Sequence, residues 1–230
     1  MTSTLITGAN KGLGLEASRR LIEKGHDVWM AARDRKLGGA AAEELGARFV
    51  ELDVTSDESV AEAARAVAAA GGLDVLINNA GIAGSRAAVA ETSAADLEAV
   101  FATNVFGPVR VLGAFTELLE ASAAPVVVNV SSGLGSLALA SDSSSSYSEF
   151  LMLGYPTTKA ALNMLTVKWA KAHPRWRVNA ADPGFTATDL NSHRGTQTVH
   201  EGTDAIVMLA CLAPDGPSGG YFDRSGIVPW

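Results

Sequence analysis

The sequence predicts an α/β fold: a doubly wound parallel sheet of about seven strands with helices on both faces. Three observations predict it. Short apolar runs recur along the whole chain, longer stretches of helical periodicity separate them, and no repeat of solenoid spacing competes. The expected strands are Thr4–Ile6, Val28–Ala31, Arg48–Glu51, Val75–Ile77, Val126–Val130, Val178–Ala180 and, last, Gly220–Phe222. Most are nearly free of polar residues, as befits strands covered on both faces. The expected helices are Gly12–Lys24, Leu37–Leu45, Asp57–Ala70, Ala94–Ala121, Thr157–Ala172 and Gly202–Leu212. Strict alternation of the two sets implies successive βαβ units.

The 230 residues suit a single domain over 1–230, and a hydrophobic content of 47% supplies one core. Aromatic residues make up only 6%, so aliphatic side chains must do most of the packing. The net charge of −7 argues against nucleic acid or an anionic membrane as the main partner and for a small molecule. Cys211 is the only cysteine, which excludes an intrachain disulfide and a thiolate metal cluster. His26, His173, His193 and His200 lack metal-ligand spacing and read as surface residues, so no metal is expected. The N-terminus has no basic segment followed by an apolar one, and no run is expected to reach the ~20 apolar residues of a spanning helix. A cytoplasmic protein is the expectation. One polar stretch interrupts the alternation: SDSSSSYSEF, 141–150, an inserted segment that reads as a surface loop or as a lid.

Directly after the first strand comes TGANKGLG, Thr7 to Gly14. Glycines at 8, 12 and 14 let a pyrophosphate approach backbone N–H groups, and the helix that opens at Gly12 offers unpaired N–H groups and the positive end of its dipole. The strand–turn–helix context is that of a Rossmann-type dinucleotide site. The spacing is T-G-x-x-x-G-x-G rather than G-x-G-x-x-G. With it the chain resembles the short-chain dehydrogenase/reductase family, in its carbonyl-reductase-like single-domain branch. Asp53-Val54 is similar to the family's adenine-contacting pair, and Asn78-Asn79-Ala80-Gly81 to its motif after the fourth strand. The resemblance runs to the last residues. It implies cofactor contacts from Gly8, Asn10, Lys11, Gly12, Leu13, Gly14, Asp53, Val54, Asn79, Ala80 and Gly81.

The end of the second strand bears on the choice of nicotinamide cofactor. Where NAD-using relatives place a carboxylate for the ribose 2′-OH, this chain has Ala32, then Arg33. A guanidinium makes bidentate contacts with a 2′-phosphate, and Lys11 adds a second cation, so NADP(H) is expected. Asp34 is an acid about twenty residues past the glycines, the usual NAD signal, but one residue further along it is expected to point away from the adenosine ribose.

The chemistry is expected at Tyr155-Pro156-Thr157-Thr158-Lys159. Positions i and i+4 share a helix face, and an ammonium beside a phenol stabilises phenolate, bringing it toward working pH. Tyr155 thus reads as a general acid for carbonyl reduction, and as the base in reverse. Pro156 is expected to hold Tyr155 extended, just outside the helix. Two serines close the fifth strand in VVVNVSSGLG. The resemblance implies that Ser132 bonds the substrate oxygen, with Ser131 structural, and that Asn104 holds a water linking Lys159 to solvent. It also implies that Tyr155, Lys159 and the segment Pro183, Gly184, Thr186 and Thr188 hold the nicotinamide half of the cofactor. Tyr147 is a rival tyrosine, but Leu151 stands four residues on, where a lysine is needed. The interval from Ser132 to Tyr155 is 155 − 132 = 23 positions, about ten more than in most members, and the surplus coincides with the serine-rich segment.

Ser132, Leu134, Tyr155 and Phe185 are the expected substrate contacts. With Leu137, Phe150, Met152, Leu153 and Leu190 they describe an apolar pocket with one polar end, suited to an uncharged ketone, aldehyde or quinone or the matching secondary alcohol. A cofactor-sensing regulator on the same fold is the alternative, and a sensor has no reason to keep Asn104, Ser132, Tyr155 and Lys159 together. An apolar strip at Ala160, Met164 and Val167 is compatible with a homodimer, whereas an insertion before the tyrosine that covers it leaves a monomer.

Overall fold

A computed structural model describes residues Met1–Trp230. Eight strands form one sheet in the order β3-β2-β1-β4-β5-β6-β7-β8. They are β1 (Ser3–Thr7), β2 (Asp27–Ala32), β3 (Arg48–Glu51), β4 (Val75–Asn78), β5 (Val126–Val130), β6 (Arg177–Ala181), β7 (Tyr221–Asp223) and β8 (Gly226–Ile227). Every neighbouring pair is parallel except β7–β8. The two-residue β8 is an addition to the expected seven. Asp223 turns the chain back by accepting the N–H groups of Ser225 and Gly226.

β1 lies between β2 and β4, so the strand order reverses there. In an open α/β sheet such a switch point leaves a crevice at the strand ends, where ligands bind. Successive residues of one strand enter opposite cores. Leu5 and Val127 face the layer built with Phe115 and Trp176, and Ile6 and Val128 face the layer built with Leu21 and Ile206. Trp176 and Phe115 are the largest wholly buried side chains of the first layer.

The helices are α1 (Gly12–Glu23), α2 (Arg35–Leu45), α3 (Asp57–Ala69), α4 (Ala94–Phe101), α5 (Gly107–Ala121), α6 (Leu137–Ser141), α7 (Gly154–Ala172), α8 (Val199–Gly202) and α9 (Asp204–Ala210). Four expectations need correction. The helix expected over Ala94–Ala121 is broken by a π-helical turn, Ala102–Phe106, which contains Asn104; such turns mark positions where a side chain is re-aimed. An 18-residue window of that same run has a mean hydropathy of 1.3, so by length and composition the run is long and apolar enough to cross a membrane, contrary to the expectation that none is. Here its apolar side is committed to the core, with Val111, Phe115 and Leu119 fully buried. α7 starts at Gly154, so Tyr155 is already helical. Pro156 is tolerated because the first-turn N–H groups have no intrahelical partner to lose. His26 is not a surface residue: it is half-buried, its Nδ1 2.8 Å from Thr4 Oγ1, and burial lowers its pKa. In the dimer strip, Met164 remains exposed while Ala160 and Val167 are partly covered.

Candidate active site

The glycine turn is braced from beneath by the end of β4. Thr7 Oγ1 accepts the N–H groups of Asn79 and Ala80, each at 3.0 Å. Asn79 Nδ2 donates to the carbonyls of Thr7 at 2.8 Å and Gly8 at 3.1 Å. Gly8 needs its left-handed φ of 65°, and a Cβ there would come 3.0 Å from Ala80 Cα. A Cβ on Gly14 would fall 2.6 Å from both Asn79 Nδ2 and Gly8 O. Gly12 is different: its built Cβ meets only the Thr188 side chain, at 3.6 Å. The N-terminus of α1 carries no side-chain cap and no acidic residue in its first turn. Its N–H groups are therefore available to an anion.

Around this turn the expected contacts separate. Asn10 is partly exposed, and Leu13 packs into the core beneath α1. Ala32 is buried, Arg33 is exposed, and Asp34 is drawn away because its carboxylate caps α2 at Leu37 N, 2.9 Å. Asp53 accepts the N–H and hydroxyl of Thr55, and these bonds hold its pKa below the usual carboxylate value. Val54 is buried against Gly107. Lys11 does not stand free beside Arg33: its Nζ pairs with Asp189 at 2.7 Å, across the crevice.

Two helices and two strand ends meet at the second half of the site. Lys159 is only 4% exposed and its Nζ donates to Val130 O at 2.7 Å. The same Nζ lies 5.5 Å from the centre of the Tyr155 ring. Asn104 Oδ1 accepts Ile82 N at 2.9 Å, and its Nδ2 donates to Ile82 O at 2.9 Å and Thr158 Oγ1 at 3.0 Å. Gly81 leaves room between Asn104 and Lys159. Ser131 is fixed by Asn163 at 2.5 Å, and Asn163 also donates to Gly135 O. Ser132 is less committed; its Oγ accepts only Leu134 N, at 3.3 Å.

The electrostatics differ from the simple expectation. Burial, then the charge of Asp182, push the Tyr155 phenol above its usual pKa, and the nearby Ser132 hydroxyl pulls the other way. Burial draws the Lys159 ammonium down to about 8. The folded chain therefore holds Tyr155 protonated, the form that gives a proton to a carbonyl oxygen.

Comparison with known proteins decides the lineage. The family model described as short chain dehydrogenase matches residues 2–198. The chain belongs to the short-chain dehydrogenase family. Among its relatives, (+)-neomenthol dehydrogenase of Arabidopsis thaliana is 33% identical over 97% of this chain and 96% of that protein. (−)-Isopiperitenone reductase of Mentha piperita is 32% identical over 96% and 95%. Among solved structures, NADPH-bound carbonyl reductase from chicken fatty liver superposes with a TM-score of 0.87 at 28% identity, covering 100% of this chain and 99% of that one. This dehydrogenase is an oxidoreductase with the family's α/β fold.

The loop after β6 and the inserted segment complete the site. In the loop, Thr186 is buried and its hydroxyl donates to Pro183 O at 2.7 Å. Gly184 adopts φ 66°, Phe185 is half exposed, and Thr188 faces Gly12. The serine-rich segment carries local structure. Ser141 ends α6, Asp142 accepts Ser144, and Ser146–Glu149 forms a 3₁₀ turn. That turn lays Tyr147 on Gly133, where a Cβ would meet the ring at 2.5 Å. Sequence reasoning discounted Tyr147 as the acid and missed this packing role. It also missed Thr7, Thr158 and Asp182. The small Gly133 beside a catalytic-type serine was the available signal for Tyr147.

Proposed function

We propose that this dehydrogenase is an NADP(H)-dependent reductase of uncharged ketones, aldehydes or quinones. The convergence of Ser132, Tyr155 and the buried Lys159 at the strand ends beside the glycine turn carries the reading. The crevice fits a dinucleotide phosphate: Gly8 and Gly12 hold left-handed conformations and the uncapped N-terminus of α1 offers its N–H groups. Arg33, with Ala32 small and Asp34 tied to α2, supports the 2′-phosphate form. Gly8, Asn10, Gly12, Leu13 and Gly14 would hold the pyrophosphate side, and Asp53, Val54, Asn79, Ala80 and Gly81 the adenosine side. Pro183, Gly184, Thr186 and Thr188 would cover the nicotinamide. That cofactor, when bound, supplies the hydride.

The chain's own residues do the rest. Ser132 donates to the carbonyl oxygen and orients it. Tyr155 gives its proton to that oxygen as negative charge develops there. Lys159, one helical turn on, supports the phenolate that remains, and Asn104 fixes the Thr158 hydroxyl and the Ile82 backbone beside it. Leu134 and Phe185, with exposed Leu137, Phe150 and Leu190, give an apolar surround for a neutral substrate. The relatives, neomenthol dehydrogenase and isopiperitenone reductase, are named for alicyclic alcohols and ketones, which agrees with this substrate class.

The test is turnover of a panel of aldehydes, ketones and quinones with NADPH and with NADH. NADPH-dependent reduction of neutral carbonyls is expected, and a preference for anionic sugar phosphates would overturn the substrate class. Arg33→Ala is expected to weaken NADPH by about 1.5–3 kcal/mol, the loss of a charged hydrogen bond, and NADH far less. The kcat/KM values for both cofactors check it; a wild type that prefers NADH refutes the cofactor assignment.

A further inference from the structure

Tyr155, Lys159 and Asn163 stand four residues apart on α7 and so share one face of it. Asn129 and Ser131, two apart at the end of β5, meet that helix from the sheet. Polar groups in a buried seam are costly unless paired, and the side chains here are paired. Asn129 Nδ2 donates to Thr166 Oγ1 at 2.8 Å, and Lys159 Nζ to Val130 O at 2.7 Å. Asn163 makes the third tie, and it alone reaches beyond the strand. Its Oδ1 accepts the Ser131 hydroxyl at 2.5 Å, and its Nδ2 donates to Gly135 O at 3.2 Å. Ser132 lies between these two anchor points. The turn from Ser132 to Gly135 is closed by Gly135 N, which donates to Ser132 O at 2.7 Å. It lies directly on α7, where a Cβ on Gly135 would come 2.6 Å from the Lys159 backbone. Ser132 Oγ itself accepts only Leu134 N, inside the same turn, so the backbone of the turn decides where the hydroxyl stands.

We propose that Asn163 is a positioning residue for carbonyl reduction: acting through Ser131 and Gly135, it fixes where Ser132 stands relative to Tyr155 and Lys159. The proposal rests on the reductase reading above, in which Ser132 orients the carbonyl oxygen and Tyr155 gives it a proton. Both groups must reach one oxygen at once. A displacement on the order of 1 Å costs about 10²-fold in rate. Ser132 and Tyr155 come from different elements, and the inserted segment lies between them in the chain, so covalent connection does not set their separation. The two bonds of the Asn163 amide do, because they join both ends of the serine turn to the helix that carries the tyrosine and the lysine. Neither bond reaches the glycine turn, so cofactor affinity does not depend on them.

Asn163→Leu keeps the size of the side chain and removes both bonds. It is expected to lower kcat for ketone reduction by on the order of 10–100-fold while NADPH affinity stays near the wild-type value. In a Ser132→Ala background the same substitution should cause little further loss, because the group it positions is already gone. Thr166→Val cuts the neighbouring tie to Asn129; it should lower stability in urea unfolding and leave kcat near the wild-type value. A loss in the Ser132→Ala background as large as in the wild type overturns the proposal, as does an equal fall of kcat in Thr166→Val. Where Asn163→Leu does not fold, Ser131→Ala removes one of the two bonds and should lower kcat by a smaller factor, again only while Ser132 is present. Amide hydrogen exchange read by mass spectrometry needs no turnover. Peptides covering 131–136 should exchange faster in Asn163→Leu than in the wild type, and those covering Val126–Val130 should not. Unchanged exchange over 131–136 overturns the proposal. A wild type inactive on every carbonyl overturns the reductase reading instead, and the exchange result then decides whether Asn163 holds the turn.

Discussion

Tyr155→Phe is expected to lower kcat/KM for carbonyl reduction by about 10²–10⁴-fold while NADPH affinity changes little, because the substitution removes only the transferable proton. That loss corresponds to roughly 3–5 kcal/mol of transition-state stabilisation. Three features make Tyr155 the donor. It begins α7 beside Ser132, its phenol is held protonated by burial and by Asp182, and Lys159 lies one turn further along the same helix. Tyr147→Phe is the control, since that ring also approaches Gly133. Tyr147 has Leu151, not a lysine, four residues on, and it sits on the inserted segment rather than on a helix fixed to the sheet. Its hydroxyl should therefore cost far less when removed. Near-normal turnover in Tyr155→Phe, or equal loss in the two variants, would move the acid elsewhere. Steady-state kinetics with fluorescence-detected NADPH binding separate the outcomes.

The parts of the fold that could be read in the sequence were those set by local pattern. Runs such as Val126–Val130, apolar but for Asn129, read as strands covered on both faces, and the strand–helix alternation then allowed few topologies. The glycine turn was legible because glycines at fixed spacing directly after a strand have few other uses. What was not legible depended on long-range contacts. The π-helical turn at Asn104 exists because Ile82 and Thr158, 22 and 54 residues away in sequence, both bond its amide. Lys11 looked like a free phosphate ligand, and only the folded chain brings Asp189 to it. Asp182 went unread because nothing in D-P-G reveals that its side chain is buried.

Lys159→Met is expected to abolish turnover and at the same time to remove a pH-dependent penalty on folding. The ammonium is nearly inaccessible, and burial lowers its pKa from 10.5 to about 8. The sign follows from proton counting. Between those two values the unfolded chain binds more protons than the folded one, so this group makes stability rise as pH increases. Below about pH 8 the lysine is charged in both states, and the desolvation penalty is present in full. A shift of that size corresponds to on the order of 3 kcal/mol. Methionine has nearly the same length and no charge to desolvate, and it fits the apolar stem's path. Against this gain stands Val130 O, which loses the Nζ donor at 2.7 Å; an unsatisfied buried acceptor costs about 1–3 kcal/mol. At neutral pH the two effects nearly cancel, so the variant should be about as stable as the wild type or slightly more so. The pH dependence does not cancel. The stability difference between variant and wild type should shrink or reverse as pH rises from 7 to 10, since only the wild type gains over that range. Urea unfolding of both proteins at several pH values measures this, and the contributions of all other groups cancel in the difference. Parallel curves for the two proteins would show that Lys159 titrates as an ordinary lysine, in contact with water that the folded structure does not admit. Loss of turnover with unchanged or improved stability would show that Lys159 is retained for chemistry and not for the fold.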